Sequence, residues 1–377
     1  MNFFAITSPG IEVILQNELK ELGIKGLKRI AGGVEAKGKI EDLWKANLWS
    51  RTANRIVVRI DEFHASSFHE LERRAKKVEW SKYVVRGATV AFRVTCRKSR
   101  LYHSDAVAER FENVLVQQLG AKIGDRNTDD DSDGNAQLFI VRIADDVCTV
   151  SIDSSGELLH RRGYRQAVAK APLRETLAAA MLIGSGWDKQ SPLVDPMCGS
   201  GTIPIEAAMM ARNIAPGVRR TFAFQGWPDH NTAAWNDLVQ QAKSGEAPLS
   251  DKKIIASDRD AGAITAAKSN AERIGVDQDI DLSQRALSAV EFPDEKGWIV
   301  TNPPYGLRVG ESAPLRNLYA TLGKVLSHQA RGYHLALLSA DKKLEAQLRL
   351  PLREAFRTTN GGIPVHLVTG QLGRGTS

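Results

Sequence analysis

Cysteine is scarce in this chain of 377 residues, which holds only Cys96, Cys148 and Cys198. An odd number of cysteines, far apart in sequence, fits neither a disulfide framework nor a four-ligand zinc site. The eight histidines do not cluster at metal-ligand spacing either. We therefore expect no bound metal and a reducing, cytoplasmic location.

Long hydrophobic runs are also missing. No stretch of about 18 or more apolar residues occurs, so a membrane span is not expected. The start, MNFFAITSPGIEV, has neither the basic region nor the apolar core of a secretory signal. Hydrophobic residues make up 42 % and charged residues 25 % of the chain, which is ordinary for a globular protein.

Acidic residues are outnumbered by basic ones only moderately. The net charge is +7 and the pI is about 9.2. Such a surplus favours a polyanionic partner, but it also occurs in enzymes that never meet nucleic acid. Charge alone leaves both possibilities open.

The pattern of hydrophobic residues changes between the two halves of the chain. The first half mixes short strands and helices, and strands at 138–143 and 147–153 are expected to form a hairpin. From Pro192 onward, short apolar strands alternate with helices. That alternation predicts a parallel sheet covered by helices on both faces. The fold class is therefore α/β, with an α+β region at the N-terminus.

An acidic loop, GDRNTDDDSDGNAQ, interrupts the first half. Asp129, Asp131, Asp133 and Gly134 match the opening of a calcium-binding loop. The match fails at the twelfth position, where Ile140 replaces the required glutamate and a strand replaces the exit helix. We interpret the segment as a solvated loop.

The stretch DPMCGSGT, residues 195–202, follows a predicted strand and opens a predicted helix. Gly199 and Gly201 allow a tight turn and a close approach of the backbone to a ligand. A phosphate-binding Walker loop is excluded because its lysine is missing, and a dinucleotide loop is excluded because Pro204 replaces its third glycine. Two glycines alone could also mark an ordinary turn.

Two acidic residues end adjacent predicted strands and narrow the choice of ligand. Asp195 suits a ligand with a cationic centre and an amino acid part, and Asp258 suits the hydroxyls of a ribose. S-adenosylmethionine has all of these groups. The segment 213–251 between the two acids is interpreted as an insertion.

A second motif, NPPY, comprises Asn302, Pro303, Pro304 and Tyr305 after the strand WIVTN. Prolines donate no backbone hydrogen bond, so they present a rigid row of carbonyl acceptors. With the Asn302 side chain, two acceptors could hold an exocyclic amine, while the Tyr305 ring stacks on the base. The stacking hypothesis predicts a mild effect for Tyr305→Phe. Taken alone, NPPY could also be a simple turn.

No general base is evident, and direct methyl transfer to an amine does not strictly require one. Cys198 could be imagined as a nucleophile, but its place in the turn favours a small packing residue. Positioning and electrostatics are the expected basis of catalysis.

Residues 195–208 and 302–306 together resemble S-adenosylmethionine-dependent methyltransferases of amino groups. Over essentially the whole chain, the sequence looks like the bacterial large-subunit (23S) rRNA guanine-N2 methyltransferases with an N-terminal THUMP domain. The stretches that carry this wider resemblance are FFAITSPGIEVILQNELKELG, HRRGYRQAVAKAPLRETLAAAML and NIAPGVRRTFAFQGW. Some relatives carry a second, fused methyltransferase domain, which we do not expect here.

The resemblance implies three domains: a ferredoxin-like subdomain at 1–64, a THUMP RNA-binding domain at 65–160, and a Rossmann-like methyltransferase domain at 161–377. It implies that S-adenosylmethionine is the cofactor and that Asn302, Pro303, Pro304 and Tyr305 hold guanine. Residues implied to line the cofactor are Asp195, Pro196, Met197, Cys198, Gly199, Ser200, Gly201, Thr202 and Asp258. Ala286 stands where relatives often have an acid that contacts adenine, so backbone, Gln284 or Arg285 must replace that contact.

The resemblance also implies that RNA binds through residues 65–174. Two segments there combine basic and aromatic residues, which suits phosphate contact and base stacking. The first supplies Arg93, Arg97, Lys98, Arg100, Tyr102 and His103. The second supplies Arg161, Arg162, Tyr164, Arg165, Lys170 and Arg174. Either could instead be an ordinary basic face.

Other functions remain open at this point. The NPPY motif also occurs in methyltransferases of adenine N6 in DNA and of a glutamine amide in proteins. A tRNA guanine-N2 methyltransferase is a further alternative, as is an RNA-binding ribosome assembly factor without catalytic activity. The predicted THUMP region favours RNA, and the intact motifs favour an enzyme.

Overall fold

The computed structural model describes residues 1–125, 136–165, 173–248, 254–305 and 312–373. The chain forms two compact units, each built from separate stretches of sequence. The N-terminal unit comprises Met1–Thr7, Leu15–Leu159 and Arg219–Gln240, and the C-terminal unit comprises Ser8–Ile14, His160–Val218 and Gln241–Ser377. Among the helices in the described ranges, none is long and apolar enough to cross a bilayer.

The N-terminal unit contains an eight-stranded sheet of strand order β2-β3-β1-β4-β8-β7-β5-β6. Its strands are β1 (Asn2–Ile6), β2 (Lys28–Ile30), β3 (Gly33–Lys37), β4 (Arg55–His64), β5 (Thr89–Arg97), β6 (Lys122–Ile123), β7 (Gln137–Ala144) and β8 (Val147–Asp153). The helices of this part of the chain are α1 (Glu12–Glu21), α2 (Ile40–Trp49), α3 (Phe68–Ala75) and α4 (Ser104–Leu119).

Strand β4 joins the predicted ferredoxin-like and THUMP regions in one sheet, because it pairs antiparallel with β1 on one side and with β8 on the other. Strands β7 and β8 form the predicted hairpin. Their connection passes through Asp145 and Asp146, whose φ angles are +50° and +61°. Aspartate tolerates this conformation well and is common in such two-residue turns.

The predicted apolar face of α1 is largely confirmed. Ile11, Leu15 and Leu19 are buried, but Leu22 is only half-buried and Ile24 takes its place in the core. The helix ends at Glu21, and Gly23 then turns the chain at φ +79°. Leu22 therefore lies outside the helix and does not continue its apolar face. The short strands β2 and β3 were not predicted.

The insertion contributes its middle part, Arg219–Gln240, to the N-terminal unit. Phe224 stacks on Trp44 with ring centroids 6.1 Å apart and meets Trp235 edge-on at 5.0 Å. Trp227 donates from Nε1 to Oε1 of Gln137 at 3.0 Å. Aromatic packing of this kind buries large apolar surfaces, so the insertion completes the core of this unit. It continues into helix α7 (Thr232–Ser244).

The C-terminal unit contains a seven-stranded sheet of order β11-β10-β9-β12-β13-β15-β14. Its strands are β9 (Leu193–Asp195), β10 (Ile254–Asp258), β11 (Ile280–Gln284), β12 (Trp298–Thr301), β13 (His334–Ser339), β14 (Arg353–Asn360) and β15 (Ile363–Gln371). Its helices are α5 (Glu175–Gly184), α6 (Thr202–Ala211), α8 (Ala261–Ile274), α9 (Ser312–Gln329) and α10 (Lys342–Leu348).

The first five strands in that order are parallel, whereas β15 runs antiparallel to β13 and to β14. The predicted alternation of strands and helices is confirmed, whereas the short helix α10 and the edge strand β14 were not predicted. Helix α6 is buried from Thr202 to Met210. A helix that is buried on all sides belongs in the interior, and Glu206 is its one charged residue.

Strand β9 lies between β10 and β12, so the chain leaves it in one direction and later returns on its other side. In open α/β sheets, ligands bind beyond the carboxyl ends of the strands at this kind of switch point. The topology brings the turn 196–201, Asp258 and Asn302 to one edge of the sheet.

Candidate active site

Two glycines shape the turn 196–201 that follows β9. Gly199 has φ +53° and Gly201 has φ +83°, a region that glycine adopts without strain. A Cβ on Gly201 would lie 2.9 Å from the Cβ of Ala267, whereas a Cβ on Gly199 would have nothing within 4 Å. Gly201 therefore allows the turn to pack against α8, and Gly199 leaves open space beside the turn.

Hydrogen bonds tie the turn to the end of β10. The N–H of Cys198 donates to the Ser257 carbonyl at 3.0 Å, and the N–H of Gly199 donates to Oδ2 of Asp258 at 3.0 Å. Oδ1 of Asp258 accepts the N–H of Asp260 at 3.0 Å. Each oxygen of Asp258 thus accepts one backbone N–H, and each keeps a lone pair for a ligand hydroxyl.

Asp195 is only 1 % exposed. Its Oδ1 accepts the Thr301 hydroxyl at 2.8 Å and the N–H of Met197 at 3.2 Å. Burial raises the pKa of Asp195 to about 7, with a further rise from the charge of Asp258, and the two hydrogen bonds oppose this shift. The carboxylate therefore joins the end of β9 to the end of β12, a contact that the sequence did not predict.

The NPPY motif begins directly after that contact. Within the described residues, Oδ1 of Asn302 is buried without a hydrogen-bond partner. Pro303 is buried and Pro304 is exposed. A buried carbonyl oxygen without a donor is costly, so Asn302 presents an acceptor that a ligand donor would satisfy.

Tyr305 is half-buried and packs against the hydrophobic core beside the sheet, together with Phe356 and Ile363. Its hydroxyl oxygen accepts a hydrogen bond from Nδ2 of Asn360 at 2.7 Å. Sequence reasoning missed Asn360. The run Asn360-Gly361-Gly362 signals a hairpin turn, but it does not reveal which side chain the asparagine contacts.

The remaining predicted cofactor residues lie at the same edge. Ala286 is exposed at the end of the segment that follows β11, and the N–H of its neighbour Arg285 donates to the Asp258 carbonyl at 2.9 Å. Asn270 of α8 donates to the Ser200 carbonyl at 3.0 Å. Cys198 is buried, and burial raises the pKa of its thiol, which agrees with a packing role.

The second predicted RNA segment is only partly accessible, and this corrects the prediction for Arg162, Tyr164 and Arg165, whereas Arg161 is half-buried and Arg174 is exposed. Arg162 and Tyr164 are 2 % and 1 % exposed. Arg162 lies 3.3 Å from Oε1 of Glu206, and Arg165 lies 3.3 Å from Oε1 of Glu175. Their charges face carboxylates inside the C-terminal unit because helices α5 and α6 bury one glutamate each, so these side chains do not present a surface for phosphates. Lys170 lies outside the described residues.

Arg165 also reaches the turn of the candidate site. Its Nη2 donates to the Thr202 hydroxyl at 2.5 Å and to the Leu173 carbonyl at 3.0 Å. Thr202 is the first residue of α6. The buried ion pairs therefore support the helix start that follows the glycine turn.

The first predicted RNA segment is largely exposed. Arg97, Lys98, Arg100 and His103 are exposed, and Tyr102 is 70 % exposed. The rings of Tyr102 and His103 lie 4.1 Å apart. These side chains lie at the end of β5 and before α4, where they are accessible to a polyanion.

Within the described residues, no three His, Cys, Asp or Glu side chains are grouped closely enough to hold a metal. Asp129, Asp131, Asp133 and Gly134 lie outside those residues.

A Rossmann-like sheet with a glycine turn after its central strand, an acid after the neighbouring strand and NPPY after β12 defines a class I S-adenosylmethionine-dependent methyltransferase. Family patterns match three parts of the chain: the RlmL ferredoxin-like domain at 2–57, the THUMP domain at 65–153, and the RMKL-like methyltransferase domain at 162–369. The chain belongs to the RMKL-like methyltransferase family.

Individual relatives agree with this assignment. The chain is 36 % identical to slr0064 of Synechocystis sp., named as a candidate RNA methyltransferase, over 98 % of this chain and 96 % of that protein. It is 35 % identical to the ribosomal RNA large subunit methyltransferase K/L of Syntrophotalea carbinolica, over 98 % of this chain and 53 % of that protein. This chain thus spans about half the length of the K/L relative.

A solved structure supports the fold and the cofactor. SMU.472, a candidate methyltransferase crystallised with S-adenosylhomocysteine, superposes with a TM-score of 0.87 at 29 % identity, covering 100 % of this chain and 99 % of that one. The bound S-adenosylhomocysteine is the product that remains when S-adenosylmethionine has lost its methyl group.

Proposed function

We propose that this chain transfers a methyl group from S-adenosylmethionine to the N2 amine of guanine in 23S ribosomal RNA. The match to the THUMP domain and the names of the relatives support an RNA substrate, and ribosomal RNA in particular. In this proposal residues 1–64 form the ferredoxin-like part, 65–160 the RNA-binding THUMP domain and 161–377 the methyltransferase domain.

The observation that carries the proposal is the buried, unpartnered Oδ1 of Asn302 among the described residues. It stands directly after Thr301, whose hydroxyl is bound to Asp195. Pro303 has no N–H to compete, so its carbonyl can act as a second acceptor. Two acceptors on the two hydrogens of an exocyclic amine would turn the nitrogen lone pair out of the ring plane.

The residues at the switch point fit S-adenosylmethionine. The turn 196–201 with Thr202 would hold the methionine part in the open space beside Gly199. The free lone pairs of Asp258 would accept the ribose hydroxyls. Asp195 would hold the turn and Thr301 in place through its hydrogen bonds to the Met197 N–H and the Thr301 hydroxyl. Ala286 would lie near the adenine.

When bound, the cofactor supplies an electrophilic methyl group on a sulfonium. Asn302 and Pro303 hold the amine that receives this methyl group, and Tyr305 supports the flipped base by stacking. The methylated nitrogen carries one proton too many and loses it readily to water, so no side chain has to act as a base. Catalysis then depends on positioning and electrostatics.

Labelled S-adenosylmethionine offered with rRNA, tRNA, DNA and protein tests the proposal, with nucleoside analysis of the product. We expect N2-methylguanosine in rRNA. Asn302→Ala should slow single-turnover transfer about a hundredfold or more while cofactor affinity stays unchanged. Asn317→Ala, which changes an exposed asparagine on α9, is the matched control. Label in N6-methyladenine, in protein or in tRNA alone would contradict the proposal, as would cofactor binding without transfer to any RNA.

A further inference from the structure

The contact between Asn360 and Tyr305 joins two parts of the C-terminal unit that are distant in sequence. Asn360 is the last residue of β14, and its Nδ2 donates to the Tyr305 hydroxyl oxygen at 2.7 Å. Tyr305 follows β12, and two strands, β13 and β15, lie between β12 and β14 in the sheet. The hydrogen bond therefore connects the NPPY segment to β14, the last strand at one side of the sheet.

The register explains how the hairpin reaches the site. Ser339, at the carboxyl end of β13, pairs with His366 of β15, so residues 360–363 extend beyond that end. At about 3.4 Å per residue, three further residues of β15 project roughly 10 Å past the end of β13. The turn itself passes through Gly361 and Gly362, at φ +56° and +83°. The hairpin tip therefore lies beyond the carboxyl ends of the parallel strands, as do the turn 196–201 and Asn302.

The hydrogen bond restrains the direction of the Tyr305 side chain. Tyr305 packs against the same core cluster as Ile363 and Phe356, and Asn360 holds its hydroxyl group. An aromatic side chain restrained by packing and by a hydrogen bond loses little further freedom when a base stacks on it, and preorganisation of this kind favours binding. The hydroxyl therefore has a positioning role that the stacking hypothesis did not include.

We propose that Asn360 is a positioning residue that orients the Tyr305 ring for the target base, so that the β14–β15 hairpin forms one wall of the base site. This proposal rests on the proposed function. It also revises the expected effect of Tyr305→Phe, which removes the hydrogen bond while keeping the ring.

A double-mutant cycle tests the proposal with Asn360→Ala, Tyr305→Phe and their combination, in single-turnover assays with saturating cofactor. Each single variant should reduce kcat/KM for RNA about two- to tenfold, the effect of one neutral hydrogen bond. The double variant should be no worse than either single variant, because both changes remove the same contact. Asn360→Asp, which can accept the tyrosine hydroxyl, should recover most of the rate. Thr359→Ala, an exposed neighbour on β14, is the matched control.

Additive losses in the double variant, or a parental rate in Asn360→Ala, would overturn the proposal. An NMR spectrum of protein with ¹³Cζ-labelled tyrosine adds a readout that needs no substrate. The Tyr305 signal should shift in Asn360→Ala and stay in place in Thr359→Ala. If the parent methylates no RNA, the proposed function fails, and an unmoved signal would separately show that Asn360 does not restrain the ring.

Discussion

The exposed segment 93–103 and the buried segment 160–165 contain similar residue types but place their charges in opposite environments. The Arg100 side chain is 76 % exposed, whereas the Arg162 side chain is 1 % exposed and faces the equally buried Glu206. Arg100 also has a carboxylate within 4.0 Å, that of Asp146, but an exposed ion pair is weak and leaves the guanidinium accessible to a phosphate, whereas a buried guanidinium is held by its carboxylate. The comparison teaches that the burial of an arginine and its partner, and not the neighbours in sequence, decides whether it supports binding or folding.

The largest expected effect comes from the buried segment. Glu206→Ala removes the carboxylate that faces Arg162 and should lower the free energy of unfolding by about 3–5 kcal/mol, because a buried guanidinium loses its counter-charge. Urea denaturation of the whole protein, followed by tryptophan fluorescence, measures this change. Glu79→Ala, which breaks the exposed ion pair with Lys82, should leave the transition where it is. Equal effects of both variants would remove the distinction between the two environments.

Asp195 extends the comparison of buried and exposed charges, because it is a buried carboxyl whose described partners are a hydroxyl and an N–H, without a counter-charge. Its pKa is raised to about 7, so the folded protein binds the proton more tightly than the unfolded chain does. The stability linked to this proton is complete below about pH 4 and is lost as the pH rises to about 7. The stability of Asp195→Asn relative to that of the parent should therefore increase between pH 5 and pH 8.

Between pH 5 and pH 8 that relative gain is at most about 3 kcal/mol, because about two pH units lie between pH 5 and the folded pKa and each is worth about 1.4 kcal/mol. Asparagine keeps the Oδ1 that accepts from Thr301, so the comparison isolates the charge. Denaturation curves of both proteins at pH 5 and pH 8 give the result. A difference in stability that is the same at the two pH values would show that the Asp195 carboxyl does not titrate in this range.

The exposed segment should respond in RNA affinity and not in stability. Changing Arg97, Lys98 and Arg100 together to glutamine removes up to three phosphate contacts. The salt dependence of RNA binding should then fall by a slope of about 2, which weakens affinity roughly 50-fold at 0.15 M salt. Fluorescence anisotropy with an rRNA fragment across a salt series measures both quantities.

The same change of charge elsewhere provides the control for that experiment. Lys268, Arg331 and Lys343 are exposed in the C-terminal unit, and their change to glutamine should reduce the slope much less. Glu206→Ala, where it remains folded, should leave the slope unchanged. If both glutamine triples behave alike, affinity depends on overall charge and the segment 93–103 has no special role.

The local pattern of the sequence was sufficient for the elements that are apolar throughout. Strands β9, β10, β12 and β13 are short and rich in apolar residues, α6 is mostly apolar and α8 has helical periodicity, so the alternation of strands and helices and a parallel sheet could be predicted. Strand β14 was missed because REAFRTTN is a mostly exposed edge strand without alternating apolar residues. Without such alternation, the sequence gives no local indication of a strand.

The side-chain contacts of the site could not be predicted in the same way. Glu206 and Asn360 lie 44 and 55 residues from Arg162 and Tyr305. No local pattern connects such pairs, because the contact exists only after the sheet has formed. The motifs therefore indicated the candidate site, whereas the hydrogen bonds of Asp195, Tyr305 and Arg165 required the structure.

The interleaved make-up of the two units has a consequence for synthesis on the ribosome. Residues 8–14 belong to the C-terminal unit, and residues 219–240 belong to the N-terminal unit. The aromatic core around Trp44 therefore stays incomplete until Phe224 and Trp235 have left the exit tunnel, by which time α5 and α6 have already emerged. At about 5–20 residues per second, the N-terminal unit waits several seconds after its own last strand for its missing segment. We therefore expect that a division of the gene at residue 160 would leave the aromatic core of the N-terminal unit incomplete, because it would separate that unit from residues 219–240.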